Sequence, residues 1–480
     1  MLTKPKIAAA ILAAGESSRF KPGPKALPPP RGGDLLNMAV SRLNLVGFSA
    51  PVVVVNPAQP EVAELAGELG CQVAENPNPE EGMFSSAKIA LQAAGDGAAL
   101  ILPVDAAFIA ADSYLSVMAH FLFLPERDKL AVVPAKDLRL GHPPLIGSAL
   151  IPKILAYGGP GGLRGALASL AGDPAEAAAV MDGATPKGLS PFPGEGAVNA
   201  ASRLRYLWVE DPQIHCDVDT REDLEAAQAM GAFTMDPYEP SPKKALAFLR
   251  MVGPERKFGH SLAVALAAAR LNSAIKGFCE NEVSLSFIGG LLHDICHGQR
   301  GHAEAGRKLI LAMGWSNILA EAVGNHTELS GGPRAAAGLP PAPEPESEPA
   351  PKGQFVAAAG QPSQREIHAT LCVYLADKFL KGAKLVDLET RFNPDWAKRR
   401  LEAWPFIMAR KADTLKVVEL FNELLNRPLE EVLVAPVADL AELELLASQS
   451  ADGPVIELGG EPASQDPAVT PGRASGEKAG

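Results

Sequence analysis

Four histidines and two aspartates, His260, His293, Asp294, His302, His326 and Asp377, fall in or at the ends of stretches with helical spacing of apolar residues. A lone buried histidine is usually a satisfied core residue. The His293-Asp294 pair is itself a weak signal, because neighbours on a helix point about 100° apart. Six such groups in one helical region carry more weight. Bundles build metal sites by projecting imidazoles and carboxylates inward from different helices. Mixed nitrogen and oxygen donors suit Mn, Fe, Zn or, with more oxygen, Mg. Cations held there would also let an acidic chain admit a phosphate ester. His297 and Cys296 adjoin the motif and read as supporting or structural, since neither is needed to complete a site.

A different chemistry is suggested near the amino end. The segment LAAGESSRF (12–20) follows a β-like run, and Lys25 comes soon after in PGPKALP (22–28). Gly15 lets the backbone approach a triphosphate, with the amides of Ala13, Ala14 and Ser17 in the same loop. Arg19 and Lys25 would neutralise phosphate charge and stabilise a departing pyrophosphate. Taken alone, such a loop is equally an ordinary turn after a strand. Further along, Asp105 in PVDAAFI sits just past a buried run, where a carboxylate is costly unless it meets a cation. Ser85 and Ser86 open a helix, a position suited to anion binding or simply to capping. Asp217 and Asp219 in HCDVDTREDL precede a helix with Thr220 as its candidate cap, and Asp219 reads as a ligand or as part of that turn.

The elements that must position these groups differ between the two halves. Up to about residue 232, β-like runs at 7–12, 51–55, 98–104 and 130–134 alternate with helical spacing near 34–46, 60–69, 84–94 and 111–123. That alternation predicts an α/β domain with a mostly parallel sheet covered by helices on both faces, binding its ligand at the carboxyl ends of the strands. FTMDPYEPSP (233–242) reads as a proline-broken joint. From 243 to 448 the β signal almost vanishes, and segments near 243–252, 257–271, 283–296, 302–313, 316–326, 365–381 and 411–425 predict an all-α domain. Inside it, a Pro/Ala/Glu-rich stretch near 331–362 lacks the composition to pack a core and is expected to be a disordered insertion, as is the tail 449–480. Such an insertion either loops outward or serves as a lid or partner-binding arm.

At 480 residues the chain is too long for one ordinary core. A net charge of −12 argues against nucleic acid or anionic membrane as a partner. Five scattered cysteines without a CxxC pair suit reduced thiols, and no run is long enough to span a bilayer. A cytoplasmic location is expected.

In their order, LAAGESSRF, EGMFSSAKIAL, LPVDAAFI, GHPPLIG, GGLRGAL and CDVDTREDL resemble the motifs of MobA-like nucleotidyltransferases, over roughly residues 5–230. Within that group the GHP and GG-x-x-GA elements most resemble the molybdenum-cofactor cytidylyltransferases. The resemblance implies a Rossmann-like fold, an NTP (CTP in this subgroup), Mg²⁺, and the phosphate of molybdopterin as nucleophile, with a molybdoenzyme as a further partner. By position, Ala13, Ala14, Gly15, Ser17, Arg19 and Lys25 would hold the triphosphate and Asp105 the Mg²⁺. Asp217 is a weaker candidate for that metal, and Ser86, His142 and Pro143 would lie near the pterin. Attack on the α-phosphorus then relies on positioning and charge neutralisation. The chain departs from the family pattern at Phe20-Lys21-Pro22 and at Asp105-Ala106-Ala107, and DGATPKGLSPFPGEG (182–196) matches none of its motifs.

The second half resembles the HD-domain metal-dependent phosphohydrolases over about 243–382. FGHSLAVA, GLLHDICHGQRGHAEAG, VGNHTEL and LCVYLADKF carry the likeness. It implies one metal on His260, His293, Asp294 and Asp377, and a second on His302 and His326 with Asp294 bridging. Such an ion pair activates water and clamps the oxygens of a phosphoester substrate. A rival expectation makes the first domain a sugar-phosphate or choline-phosphate nucleotidyltransferase and the HD half a regulatory nucleotide sensor.

Overall fold

The computed structural model describes residues 4–187 except 18, 21–22, 28 and 30–33, together with 200–230, 238–275, 280–340, 364–392 and 404–433. The expected tail 449–480 lies outside these residues, as do 188–199 and parts of the joint and the insertion.

The amino-terminal domain runs β1 (Ile7–Ala13), α1 (Leu35–Leu45), β2 (Val52–Val55), α2 (Pro60–Glu68), β3 (Gln72–Glu75), α3 (Met83–Ala93), β4 (Ala98–Pro103) and α4 (Ala111–Leu122). It continues with β5 (Ala131–Lys136), β6 (Arg139–Leu140), β7 (Leu145–Ile146), α5 (Ile151–Leu155), α6 (Gly162–Ala168), α7 (Pro174–Met181), β8 (Leu204–Trp208) and α8 (Arg221–Met230). The sheet order is β3-β2-β1-β4-β7-β5-β6, with β8 also on β5. Both faces of its centre are dry. Ile11, Val53 and Leu100 point into one core, while Leu12, Val54 and Ile101 point into the other. That two-residue alternation, apolar on both sides, is why the runs look continuous in sequence.

The sheet is mostly parallel, as expected, with antiparallel pairings confined to one end. β1 to β4 pair in parallel, and so do β5 and β8. β7 inserts antiparallel between β4 and β5, and β6 lies antiparallel on β5. The cause is local, since Asp137 and Leu138 both take positive φ (50° and 61°) and turn β5 directly into β6. No helical crossover fits in so short a link. The first residues of the Gly/Pro-rich stretch extend this edge, with Ala184 bridging Arg139 and Thr185 donating its amide to Leu138 O.

The second domain contains α9 (Pro242–Val252), α10 (Phe258–Ala274), α11 (Glu280–Leu292), α12 (His302–Ala312), α13 (Asn317–Gly324), α14 (Gly331–Ala336) and α15 (Gln364–Lys378). A small hairpin, β9 (Leu380–Lys381) with β10 (Lys384–Leu385), precedes α16 (Leu388–Phe392), α17 (Trp404–Leu425) and α18 (Leu429–Leu433). α10 is buried on nearly all sides because it is the central rod, touching α11 and α15.

Two boundaries differ from the sequence reading. Pro242, placed in the joint, is the first residue of α9, and the Ser241 hydroxyl accepts from the Lys244 amide as its cap. Residues 331–340, placed in the disordered insertion, form α14 and a turn. The buried Arg334 guanidinium bonds Asp413, Leu329 O and Pro340 O, and Leu339 packs into the core with Val417 and Phe421. Composition hides this because one buried cation, not a run of apolar residues, fixes the segment.

The two domains share an apolar core. Met118 and Phe121 of α4 meet Phe248 of α9 and Trp315, whose rings stand edge-to-face at 5.0 Å. Asp112, at the start of α4, receives Lys244 Nζ at 2.9 Å and Trp315 Nε1 at 3.2 Å. Among the described residues no helix is long and apolar enough to cross a membrane.

Candidate functional site

At the carboxyl ends of β1 and β4 the structure gathers one lysine and a set of acids. β1 ends at Ala13, and the loop after it carries Ala14, Gly15, Ser17 and Arg19. Lys25, almost buried, donates to Asp105 Oδ2 (2.9 Å), Asp219 Oδ1 (3.1 Å) and Val218 O (3.1 Å). Arg19, mostly exposed, reaches Asp219 Oδ2 at 2.8 Å. Asp105 sits in the single turn after β4, and its own carbonyl accepts the Val218 amide, which ties the CDVD segment to β4.

Asp105 Oδ1 is buried and accepts no hydrogen bond. No ion pair or hydrogen bond holds Asp217 among the described residues; burial, reinforced by the charge of Asp105, raises its carboxyl above the ordinary range. His142 is half-buried, its Nδ1 is enclosed without a partner, and burial lowers its pKa against the pull of Asp217 and Asp105. An orphaned carboxylate oxygen beside a second strained carboxylate fits a divalent cation. Ser86 and Ser85 are both held by Asn76 Nδ2, at 2.9 and 2.8 Å, and Ser85 also donates to Gly82 O. Ser85 thus spends its hydroxyl on the helix entry, and no bond joins either serine to the Lys25 cluster.

Sequence reasoning divided Asp219 between ligand and turn; the structure pairs it with both Lys25 and Arg19. The turn is held instead by Thr220 and Asp223, each accepting the other's amide in a reciprocal cap. Asn76 was missed altogether, and an Asn just past an edge strand gives little signal. The spacing of two acids in CDVD was the available hint for Asp219.

The six groups of the second domain converge. Asp294 follows α11 and splits its carboxylate between two pairs of rings. Oδ2 lies 3.5 Å from His293 Nε2 and 3.8 Å from His260 Nε2; Oδ1 lies 3.4 Å from His302 Nε2 and 3.6 Å from His326 Nε2. Asp377 Oδ1 is 3.2 Å from His260 Nε2 and 3.8 Å from His293 Nε2. Within this set, His260, His293 and Asp294 form one mutually close trio and Asp294, His302 and His326 another.

The chain folds this way because ring orientation is locked from behind. His293 and His326 each follow a helix end and bond an otherwise unpaired carbonyl of the last turn, Gly290 O and Val323 O, both at 2.7 Å. His260 bonds Gly382 O at 2.8 Å. A carbonyl only accepts, so each Nδ1 carries the hydrogen and each neutral ring presents Nε2 as an acceptor. Yet His260 and His293 Nε2 stand 3.3 Å apart, and those of His302 and His326 3.2 Å apart, amid carboxylate oxygens. The His260–His293 contact sets acceptor against acceptor, and a cation between such atoms resolves it.

Burial opposes ionisation of Asp294, but contacts from His293, His302 and His326 outweigh it and hold its carboxyl well below the ordinary range. Burial likewise opposes ionisation of Asp377, and Lys378, His260 and Arg391 outweigh it. Burial pushes His326 down to about 4, leaving it neutral. The centre opens into a cleft of about 810 Å³ also lined by Lys257, Lys381, Thr390, Phe392, Ile407 and Arg410. Lys257 Nζ sits 2.8 Å from Asp294 Oδ2, and His297 lies at the rim with its ring 5.5 Å from His302. Lys257, Lys378 and Arg391 escaped the sequence reading because lone cations among many carry no pattern.

Similarity to known proteins divides the chain at the same place. The family described as "MobA-like NTP transferase domain" matches residues 9–175, and that described as "HD domain" matches 258–381. No match was found among curated proteins. Solved structures align with the first half. Rv0371c from Mycobacterium tuberculosis H37Rv is 18% identical, covering 47% of this chain and 98% of its own at a TM-score of 0.34. A nucleotidyl transferase from Methanothermobacter thermautotroptrophicus is 17% identical, with 47% and 96% coverage and a TM-score of 0.35. The 4-diphosphocytidyl-2C-methyl-D-erythritol synthase of Anaerococcus prevotii is 13% identical, with 47% and 96% coverage and a TM-score of 0.32. The chain therefore joins a MobA-like NTP transferase domain to an HD domain, in that order.

Proposed function

We propose that the first domain transfers CMP from CTP to the phosphate of a molybdopterin-type cofactor, and that the HD domain is a dinuclear metal-dependent phosphohydrolase. For transfer, an acceptor phosphate oxygen attacks the α-phosphorus in line, the bond to the β-phosphate oxygen breaks, and pyrophosphate leaves. The Ala13–Ser17 amides and Arg19 orient the triphosphate. Lys25 fixes Asp105 and Asp219 at the carboxyl end of the sheet, and Asp105 with Asp217 would hold Mg²⁺, which supplies charge neutralisation. His142 and Ser86 are assigned to the pterin side.

The observation that carries the hydrolase reading is the crowding of four Nε2 atoms around the split carboxylate of Asp294, three of them left as acceptors by their Nδ1–carbonyl bonds. His260, His293, Asp294 and Asp377 would hold one ion, and Asp294, His302 and His326 the other. Bound there, the ions supply Lewis acidity and a water of lowered pKa. Lys257, Lys381 and Arg410 would receive the remaining charge of a phosphoester. The four described cysteines are free thiols, which suits our placement of the protein in the cytoplasm.

One pair of variants tests both halves. Asp294→Ala should abolish phosphoester hydrolysis and metal content while leaving transfer intact; Asp105→Asn should do the converse. Acceptors offered with CTP or GTP would be molybdopterin, sugar phosphate and choline phosphate. Transfer to choline or sugar phosphate would overturn the acceptor assignment. An Asp294→Ala chain with altered transfer, in a protein that hydrolyses no phosphoester, would make the HD domain a sensor.

A further inference from the structure

The three imidazoles with Nδ1 bonded to a carbonyl are not held alike. His293 and His326 find that carbonyl three residues back, within the turn that carries them. His260 finds it at Gly382, 122 residues along the chain, in the β9–β10 turn. That turn belongs to a short strap, residues 379–392, which begins two residues after Asp377. Arg391 ties the strap down: it donates to Leu380 O at 3.0 Å and to both oxygens of Asp377, at 3.1 and 3.3 Å. The Val386 amide closes the strap onto Phe379 O. Its inner face, from Lys381 and Gly382 to Thr390, Arg391 and Phe392, also lines the cleft.

Both distinctive ligands of one half-site thus depend on the strap, His260 through its ring hydrogen bond and Asp377 through its ion pair. The other half-site, Asp294 Oδ1 with His302 and His326, takes nothing from it. We infer that Arg391 is a positioning residue that, through the strap, sets metal affinity at the His260–His293–Asp377 position alone; this rests on the dinuclear reading above. The two positions then load unequally, and whatever occupies the cleft against Thr390 and Phe392 acts on the same position. Partners that orient ligands shift metal affinity by about 10–100-fold.

The test is Mn²⁺ uptake, measured by equilibrium dialysis, by the full chain carrying Asp105→Asn, which removes the cation site proposed for the first domain, in two backgrounds that each leave one position of the second. His302→Ala leaves the strap-dependent position, and His260→Ala leaves the other. Adding Arg391→Ala should weaken Mn²⁺ binding about 10–100-fold in the first background and leave the second unchanged. Arg391→Lys should recover part of the loss. Equal weakening in both backgrounds, or no change in either, overturns the inference. So does tighter binding in the first background, which would mean that Arg391 only competes with the cation for Asp377. Should Arg391→Ala lose its circular-dichroism signal, Arg391→Gln is judged by the same outcomes. An Asp105→Asn chain, otherwise unaltered, that takes up one Mn²⁺ instead of two overturns the dinuclear reading by itself. The strap inference then stands if Arg391→Ala weakens that ion, and falls if it does not.

Discussion

Lys25 Nζ lies 2.9 Å from Asp105 Oδ2 across 80 residues of sequence, and the same nitrogen binds Asp219 from the far end of the domain. One cation thus staples the loop after β1, the turn after β4 and the CDVD segment into a single site. Lys25→Ala leaves two carboxylates facing each other with only Arg19 near. We expect transfer kcat/KM to fall about 10²–10³-fold. Breaking a buried pair costs about 3–5 kcal/mol, and since Asp219 is 31% exposed about 2 kcal/mol is expected. Asp105→Asn keeps the Lys25–Asp219 contact and should cost less. Urea unfolding measures the order; a Lys25→Ala chain as stable as Asp105→Asn would sink the staple.

Acid should destabilise the protein through buried neutral histidines. Burial pushes His120 and His326 down to about 4, from an ordinary 6.5. The unfolded chain then binds more protons than the folded one between those values, so stability present above pH 6.5 is lost as pH falls toward 4. Each ring contributes at most about 3 kcal/mol to that loss. His120 lies in α4, away from the metal-binding groups, so His120→Gln separates this effect from metal release. Its urea midpoint should fall less than the wild type's between pH 7 and 4.5; parallel curves would refute the assignment.

Much of this was legible from residue types alone. β1, β2, β4 and β5 appear as apolar runs because both faces of the sheet are buried, and α10 reads as helical because it is the rod of its domain. The clustered His and Asp residues of the second domain were legible because such side chains are seldom placed inside bundles without a partner. What the sequence hid was relational. β6 and β7 are two residues each and depend on the positive φ of Asp137 and Leu138. α14 depends on Arg334 finding Asp413, and the roles of Lys257 and Arg391 depend on distances that no spacing encodes.

Asp112 should govern how the two domains unfold together. It accepts from Lys244 and Trp315 in a junction where its own side chain is 18% exposed. Asp112→Ala strands the indole N–H and leaves the ammonium with Tyr238 Oη alone, a cost of about 2–3 kcal/mol. The shared core of Met118, Phe121, Phe248 and Trp315 would lose its polar latch. Calorimetry should then resolve two transitions in place of one. A single transition at an unchanged temperature would mean that apolar contact alone unites the domains.

Gly290 sets the spacing of His260 and His293. A Cβ there would lie 2.5 Å from Ala265 Cα, backbone that cannot step aside, so α10 and α11 touch at this point. Three residues on, His293 faces His260 across the same contact, with ring centres 5.0 Å apart. Gly290→Ala must therefore push the helices apart, at about 1–3 kcal/mol or more, and widen the gap between those two Nε2 atoms. Gly289→Ala is the matched control, since its Cβ would meet only side-chain carbons, of Ala322 and Val373, at 3.1 Å. We expect Gly290→Ala to lose Mn²⁺ at the His260 position and a large part of its stability, while Gly289→Ala keeps its metal. If both variants bind Mn²⁺ as the wild type does, the contact between α10 and α11 is not what brings His260 and His293 together.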